Sequence, residues 1–327
     1  MDKKTVLVTG GAGYIGSHVV RQLGEAGENI VVLDDLSTGF ANAVLYGELI
    51  KGHTGDRPLV RRILKDFNVT AVLHFAANTI VPESISNPLK YYSNNTCASQ
   101  NLLACCQEAG VQHFIFSSTA AVYGMPGNGR ASEDSELLPI NPYGTSKLMT
   151  EWMLRDLAAA SGLGYVILRY FNVAGSDPGG RIGQSTPKAT LLIKVAAETA
   201  IGKRPHIAIY GTDYPTNDGT CVRDYIHVED LADAHIKALH YLRAGGKATT
   251  LNCGYGHGHS VREVLQTVER IHGKPLAIRE EARRPGDPPM LIADAKRIKT
   301  VLGWEPQFDD LEFIVQTSLD WERKLAS

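Results

Sequence analysis

The sequence predicts an α/β protein built on a doubly wound parallel sheet, with a smaller C-terminal lobe. Three observations point there. Short apolar runs alternate with helical stretches through the first half, a glycine-rich turn joins the first run to the first helix, and beyond Asn172 the alternation gives way to turn-rich sequence. Continuous runs of Val, Ile and Leu suit strands buried on both faces, and helices between them imply parallel pairing. The chain has 327 residues, 43% of them apolar. That exceeds a usual single domain of about 100–200 residues, so two lobes around a shared cleft are expected.

Taken in order, the apolar runs place strands at Thr5–Thr9, Ile30–Leu33, Ala71–Phe75, His113–Ser117 and Tyr165–Tyr170. Helices are expected at Tyr14–Glu25, Pro58–Phe67, Pro88–Ala109 and Pro142–Ala160. The alternation reads as a Rossmann-type sheet over residues 1–175. Gly175-Ser176-Asp177-Pro178-Gly179-Gly180-Arg181 is turn chemistry, and it marks the boundary to a second lobe over 176–327. Part of 222–242 is expected to return to the first lobe.

Composition narrows the function classes. A net charge of −2 argues against nucleic acid or an anionic membrane as main partner, since both call for a basic surface. The five cysteines, Cys97, Cys105, Cys106, Cys221 and Cys253, are odd in number and contain no CxxC pair. Neither a disulfide framework nor a zinc site is expected. His257-Gly258-His259 lacks an acidic partner pattern and reads as a loop, so no metal is expected. The apolar run Thr5-Val6-Leu7-Val8 is too short for a signal segment, and no run approaches 18 apolar residues. Reduced thiols and a cytoplasmic location follow as expectations.

Gly10, Gly13 and Gly16 follow the first strand and open the first helix as GxxGxxG. Such glycines permit a tight turn, close approach of backbone to a diphosphate, and close helix–strand packing. The helix N-terminus then offers free N–H groups and a partial positive charge. Asp34, about 20 residues on at the end of the second strand, is placed to accept from ribose hydroxyls and to repel a 2′-phosphate. The pattern therefore favours NAD over NADP.

Tyr143 and Lys147 lie four apart at the start of a predicted helix, hence on one face. A free tyrosine titrates near 10. A nearby ammonium and a positive nicotinamide ring favour the phenolate by opposite charge. Ser117-Ser118-Thr119 ends a strand where doubly wound sheets hold their ligands, so a hydroxyl there is placed to bond a reacting oxygen.

These residues sit within the blocks VTGGAGYIGSH, PESISNPLKYYSNN, FIFSSTAAVYG, NPYGTSKLMTE, LRYFNVAG, DGTCVRDYIHVEDLADAH and RRPGDPP. On them the chain resembles the extended short-chain dehydrogenase/reductase family nearly end to end, and within it the nucleotide-sugar 4-epimerases. The resemblance implies a Ser/Thr–Tyr–Lys triad of Thr119, Tyr143 and Lys147, with Thr119 where serine is commoner. It implies cofactor contacts from Tyr14, Ile15, Asp56, Phe75, Ala76, Ala77, Asn94 or Asn95, Ser117 and Tyr170. For the substrate it implies Arg223 and Arg284 on the diphosphate, Asp287 on the uridine ribose, and Asn172 on the phosphate or sugar. Leu291, four positions after Asp287, would border the sugar pocket.

The activity implied is interconversion of UDP-glucose and UDP-galactose through a 4-keto sugar, with tightly bound NAD. A homodimer through the 88–109 and 143–160 helices is implied as well. Thr79 stands where many relatives carry lysine near the uridine nucleotide. Thr190 stands where asparagine commonly contacts the sugar nucleotide. These departures bear on fine specificity and leave open a uronic acid, pentose or N-acetylhexosamine substrate. Sugar dehydratases of this fold add Asp-Glu after the triad threonine, whereas here Ala120-Ala121 follow. A non-catalytic NAD-sensing protein would typically lose Tyr143 or Lys147.

Overall fold

A computed structural model describes residues 4–187, 189–284 and 286–327. Pro285, inside the block RRPGDPP, lies outside the described residues. Seven strands form the central sheet: β1 (Thr5–Thr9), β2 (Asn29–Asp34), β3 (Glu48–Lys51), β4 (Val69–His74), β5 (His113–Thr119), β6 (Gly164–Tyr170) and β7 (Thr249–Cys253). Their order is β7-β6-β5-β4-β1-β2-β3, and every pairing is parallel. The five strands expected from apolar runs are present, with ends shifted by two residues at most. β3 escaped sequence reading because this short edge strand is only half-buried at its centre, so it lacks a continuous apolar run.

Side-chain alternation divides the core between the two faces of the sheet. Val6 and Val8 of β1 pack with Val19, Val20 and Leu23 of α1 (Tyr14–Glu25). Leu7 points the other way and packs with Val60, Ile63 and Leu64 of α2 (Arg57–Asp66). Each such aliphatic side chain contributes about 1.5–3 kcal/mol on burial. Two further helices cover that second face, α3 (Ala98–Ala109) and α4 (Pro142–Ser161).

The helix expected as continuous over Pro88–Ala109 is interrupted. Pro88–Tyr91 is α-helical, Tyr92–Cys97 is a wide π turn, and α3 follows. The turn is held by buried Asn95. Its Oδ1 accepts from Asn78 N at 2.8 Å, and its Nδ2 donates to Asn78 O at 3.0 Å and Ser146 Oγ at 3.1 Å. Those bonds offset the irregular backbone.

The lobe boundary differs from the expectation. Tyr225–His227 pairs with Asn172–Ala174. Helix α5 (Val228–Arg243) then packs along α1, and β7 adds to the central sheet beside β6. The return to the first lobe therefore extends to Cys253, beyond the expected 222–242. Leu251 and Cys253 are fully buried, but a five-residue run carries too little periodicity to declare its sheet. The rest of the second half forms a small sheet of His259–Ser260, Val222–Arg223, Met290–Ala293 and Arg130–Ala131. Helix Val261–His272 packs beside it, and helices Leu192–Ala200 and Leu311–Ala326 pack on that helix and on each other.

Candidate active site

The strand order reverses between β1 and β4, and ligands of doubly wound sheets bind at the carboxyl ends beside that reversal. There the chain turns at Gly10 with φ +71°, and a Cβ on Gly10 would stand 2.6 Å from Ala76 N. A Cβ on Gly16 would stand 2.2 Å from Gly10 O. Any side chain at either position would force backbone apart. Gly13 is the N-cap of α1, with no side-chain cap bond and no acidic residue in the first turn. The helix N-terminus is thus open to an anion.

Asp34 ends β2 and is buried. Its Oδ2 accepts from Ala12 N at 2.9 Å and its Oδ1 from Leu36 N at 2.8 Å. Burial raises its pKa, and these two N–H groups oppose the rise. Phe75 and Ala76 form the neighbouring wall, their N–H groups donating to Thr9 O at 2.9 and 3.1 Å.

Helix α4 starts where its sequence dictates. Asn141 Oδ1 accepts from Gly144 N at 2.9 Å, and Pro142 opens the first turn. Gly144 has a packing reason: a Cβ there would stand 2.7 Å from Ala121 O. The missing side chain lets α4 lie against the end of β5, bringing Tyr143 beside Thr119. Lys147 is buried, and its Nζ donates to Ser117 O at 2.8 Å. The Ser117 hydroxyl in turn accepts from Tyr170. Tyr91 packs edge-on against Tyr143, with ring centroids 6.5 Å apart.

Burial raises the Tyr143 phenol, and the Thr119 hydroxyl opposes the rise. Lys147 is itself pushed down to about 7, chiefly by burial, with Glu151 opposing. Two buried groups each resist charging, because the charged form loses water.

The second lobe contributes Arg223, Arg284 and Asp287. Strand pairing places Arg223 opposite Leu291. Arg223 Nη2 stands 3.9 Å from Asp287 Oδ1, and Arg284 Nε donates to Asp287 Oδ2 at 2.8 Å. Arg284 also stacks over the Tyr210 ring at 4.6 Å. Two guanidiniums thus converge on one carboxylate, an arrangement able to face a diphosphate.

The model of the NAD dependent epimerase/dehydratase family matches residues 6–254. The chain belongs to that family. It is 56% identical over 321 residues to the UDP-glucose 4-epimerase of Azospirillum brasilense, covering 98% of this chain and 92% of that one. It superposes on the UDP-glucose 4-epimerase from Brucella ovis in complex with NAD with a TM-score of 0.95 at 43% identity, covering 97% and 98% of the two chains. For the Bifidobacterium longum enzyme in complex with NAD+ and UDP, the TM-score is 0.93 at 35% identity, covering 98% of each.

Within this epimerase/dehydratase fold, other expected residues stand apart from the cluster or carry a local duty. Asp56 is exposed and caps α2 by accepting from Leu59 N at 3.0 Å. Asn94 Oδ1 bonds His53 Nε2 at 2.7 Å. Ile15 packs partly against the core. Tyr14 donates to Gly175 O at 2.6 Å, tying α1 to the segment after β6. Asn172 Nδ2 donates to Asp224 O at 3.3 Å. Thr79 and Thr190 are exposed. Leu291 is 9% exposed and counts with the core, which leaves little of it to border a sugar. A cavity of about 1060 Å³ opens between the 123–140 segment and residues 293–299. Thr119, Tyr143 and Lys147 do not line it, so cavity size alone would misplace the site.

Residues that sequence reading missed include Asp224 and Glu151. Buried Asp224 accepts from the N–H groups of Tyr255, Gly256 and Ala293 at 2.9, 2.9 and 3.2 Å, which fixes the strand carrying Arg223. Asp224 stands beside Arg223 in the quoted block, but nothing local announces a buried carboxylate.

Proposed function

We propose that this chain interconverts UDP-glucose and UDP-galactose, using NAD that stays bound. The observation supporting this most is the meeting of Thr119, Tyr143 and Lys147 at the carboxyl end of β5, beside the uncapped N-terminus of α1. The glycine turn and Asp34 fit a dinucleotide. The turn tolerates no Cβ at Gly10 or Gly16, and Asp34 presents a buried carboxylate where a ribose hydroxyl would donate. NAD bound there would supply a reversible acceptor for the hydride at the sugar C4.

The chain's own residues supply the rest. Tyr143, as phenolate, takes the proton from the sugar 4-hydroxyl and later returns it. Thr119 bonds the same oxygen and lines it up with the phenol. Lys147 would hold the cofactor ribose and add positive charge near Tyr143. Arg223, Arg284 and Asp287 grip the UDP, so the 4-keto sugar turns in place and presents its other face. No net oxidation results, which is why the cofactor need not exchange. General base catalysis of this kind typically contributes about 10²–10⁴-fold.

The test uses the purified protein with no added cofactor. UDP-galactose is supplied and UDP-glucose is assayed, while a denatured sample is analysed for bound dinucleotide. We expect turnover and NAD. Recovery of NADP, or no conversion by protein loaded with NAD, overturns the proposal.

We further propose a homodimer through the 88–109 and 143–160 helices. Leu89 and Trp152 there are 76% and 51% exposed, more apolar surface than a solitary helix pair favours. Light scattering should give twice the chain mass, and Leu89→Glu with Trp152→Glu should halve it. Among the described residues no helix is long and apolar enough to cross a membrane. A cytoplasmic location is proposed on the five free cysteines.

A further inference from the structure

Behind the triad lies a layer of buried charge that the mechanism above does not use. Glu151 sits one turn beyond Lys147 on α4 and is fully buried. Its carboxylate accepts from Ser118 Oγ at 2.6 Å, Arg169 Nε at 2.9 Å, Arg169 Nη2 at 2.5 Å and Arg155 Nη2 at 3.2 Å. Arg169, on β6, is also fully buried, and its Nη1 donates to Tyr123 Oη at 3.0 Å. Burying such a pair costs about as much as its attraction returns, so stability alone is a poor reason for it.

Its position offers a better one. Ser118 lies between Ser117, whose carbonyl takes Lys147, and Thr119, whose hydroxyl faces Tyr143. We propose that Glu151 is a positioning residue for the reaction: through Ser118 it fixes the end of β5, and its carboxylate is the counter-charge that keeps Lys147 an ammonium. This rests on the roles given above to Tyr143 and Lys147.

Residues four apart on a helix bring their Cβ atoms within about 5–6 Å. The surroundings of Lys147 leave few other sources of negative charge. From β5 it meets the Ser117 carbonyl and the Phe116 ring, 5.0 Å away. From β4 it feels His74, which burial and Lys147 together push down to about 3, so that ring is neutral. On α4 itself stands Tyr143, and on β6 Tyr170, phenols that burial keeps protonated. Arg169, across Glu151, opposes the ammonium. A lysine pushed down to about 7 is charged below that pH and loses its proton as pH rises through it. Removing the Glu151 charge moves that loss to lower pH.

The test is the pH profile of kcat for the NAD-loaded enzyme. In Glu151→Gln the alkaline limb should move down by about 1–2 pH units, with KM for UDP-galactose changed less than about twofold. Glu151→Asp keeps the charge but shortens the reach, so kcat should fall at every pH while the limb stays. If Glu151→Gln leaves Arg169 too poorly paired to fold, Glu151→Gln with Arg169→Gln removes both charges, and because Glu151 acts on Lys147 more strongly than Arg169 does, the limb should still move down, by less than in Glu151→Gln alone. An unmoved limb in whichever of these folds overturns the proposal, as does the same limb shift in Glu151→Asp. Tyr143→Phe run alongside separates the cases. Full turnover in that variant sinks the catalytic reading itself, whereas an inactive Tyr143→Phe with an unmoved limb sinks only the role of Glu151.

Discussion

The half of the site on β1, β5 and α4 is assembled from buried backbone, whereas the half carrying Arg223, Arg284 and Asp287 is assembled from side chains near solvent. Gly10 and Gly16 meet neighbouring backbone with no space for a Cβ. Lys147 is anchored on a carbonyl in the interior. Arg284, by contrast, has a side chain 48% exposed and is held by one carboxylate and one ring. On the proposed function the first is the cofactor half, built on fixed backbone, and the second is the substrate half, whose more exposed side chains are able to close around a diphosphate. That division suits a reaction that keeps its cofactor and exchanges its sugar nucleotide.

Substitutions sharpen the contrast. The largest effect is expected at Tyr143→Phe, which should lower kcat by about 10²–10⁴-fold or more while UDP still binds. Steady-state kinetics and calorimetry with UDP check this together. Gly16→Ala should come next, because its Cβ would stand 2.2 Å from Gly10 O. We expect NAD to be lost on gel filtration and the unfolding temperature to drop. A Gly16→Ala protein that retains its full complement of NAD would break the comparison at its rigid end.

In the substrate half the losses should appear in KM. Arg223→Ala and Arg284→Ala should each raise KM for UDP-galactose by about 10-fold, with kcat less affected. The more exposed Arg284 should show the smaller change. Thr119→Ala should cost less than Tyr143→Phe, and Thr119→Ser should stay within a few-fold of wild type, since it keeps the hydroxyl. The smallest catalytic effect is expected at Leu291. With that side chain in the core, Leu291→Ser should lower stability by about 2–5 kcal/mol. It should leave the ratio of kcat/KM between UDP-galactose and UDP-N-acetylgalactosamine nearly unchanged. A ratio moved several-fold toward the N-acetyl sugar in a stably folded variant would restore Leu291 to the border of the sugar pocket.

The same contrast explains what was legible in the sequence. Each signal of the cofactor half lies within a few residues of its structural cause. Gly10, Gly13 and Gly16 span one turn, and Asn141-Pro142 announces the helix that presents Tyr143 and Lys147. Arg223 and Arg284 are brought together only by the pairing of Val222–Arg223 with Met290–Leu291, which no local pattern reports. The resemblance to a family supplied those residues where periodicity did not. Glu151 was invisible for another reason. A glutamate on a helix is ordinarily solvated, and the partners that give it cause to be buried include Ser118 and Arg169, the latter eighteen residues on in the next strand.

One feature of α3 and the turns before it bears on how this site tolerates change in length. The π turn at Tyr92–Cys97 spends one more residue per turn than an α-helix, and each helical residue rotates the next by about 100°. Deleting a single residue there would let the segment relax into a regular helix, which completes the same turn with one residue fewer. Side chains outside the turn would then keep their phase relative to α3, and Tyr91 would stay at the edge of the Tyr143 ring. The loss would be confined to the turn itself, where Asn95 holds Asn78 and Ser146. A chain shortened by one residue at this point should therefore fold, keep its sheet and keep the wall beside Tyr143. The extra residue between Pro88 and Ala98 is thus tied to the bonds of Asn95 and not to the course of the helix.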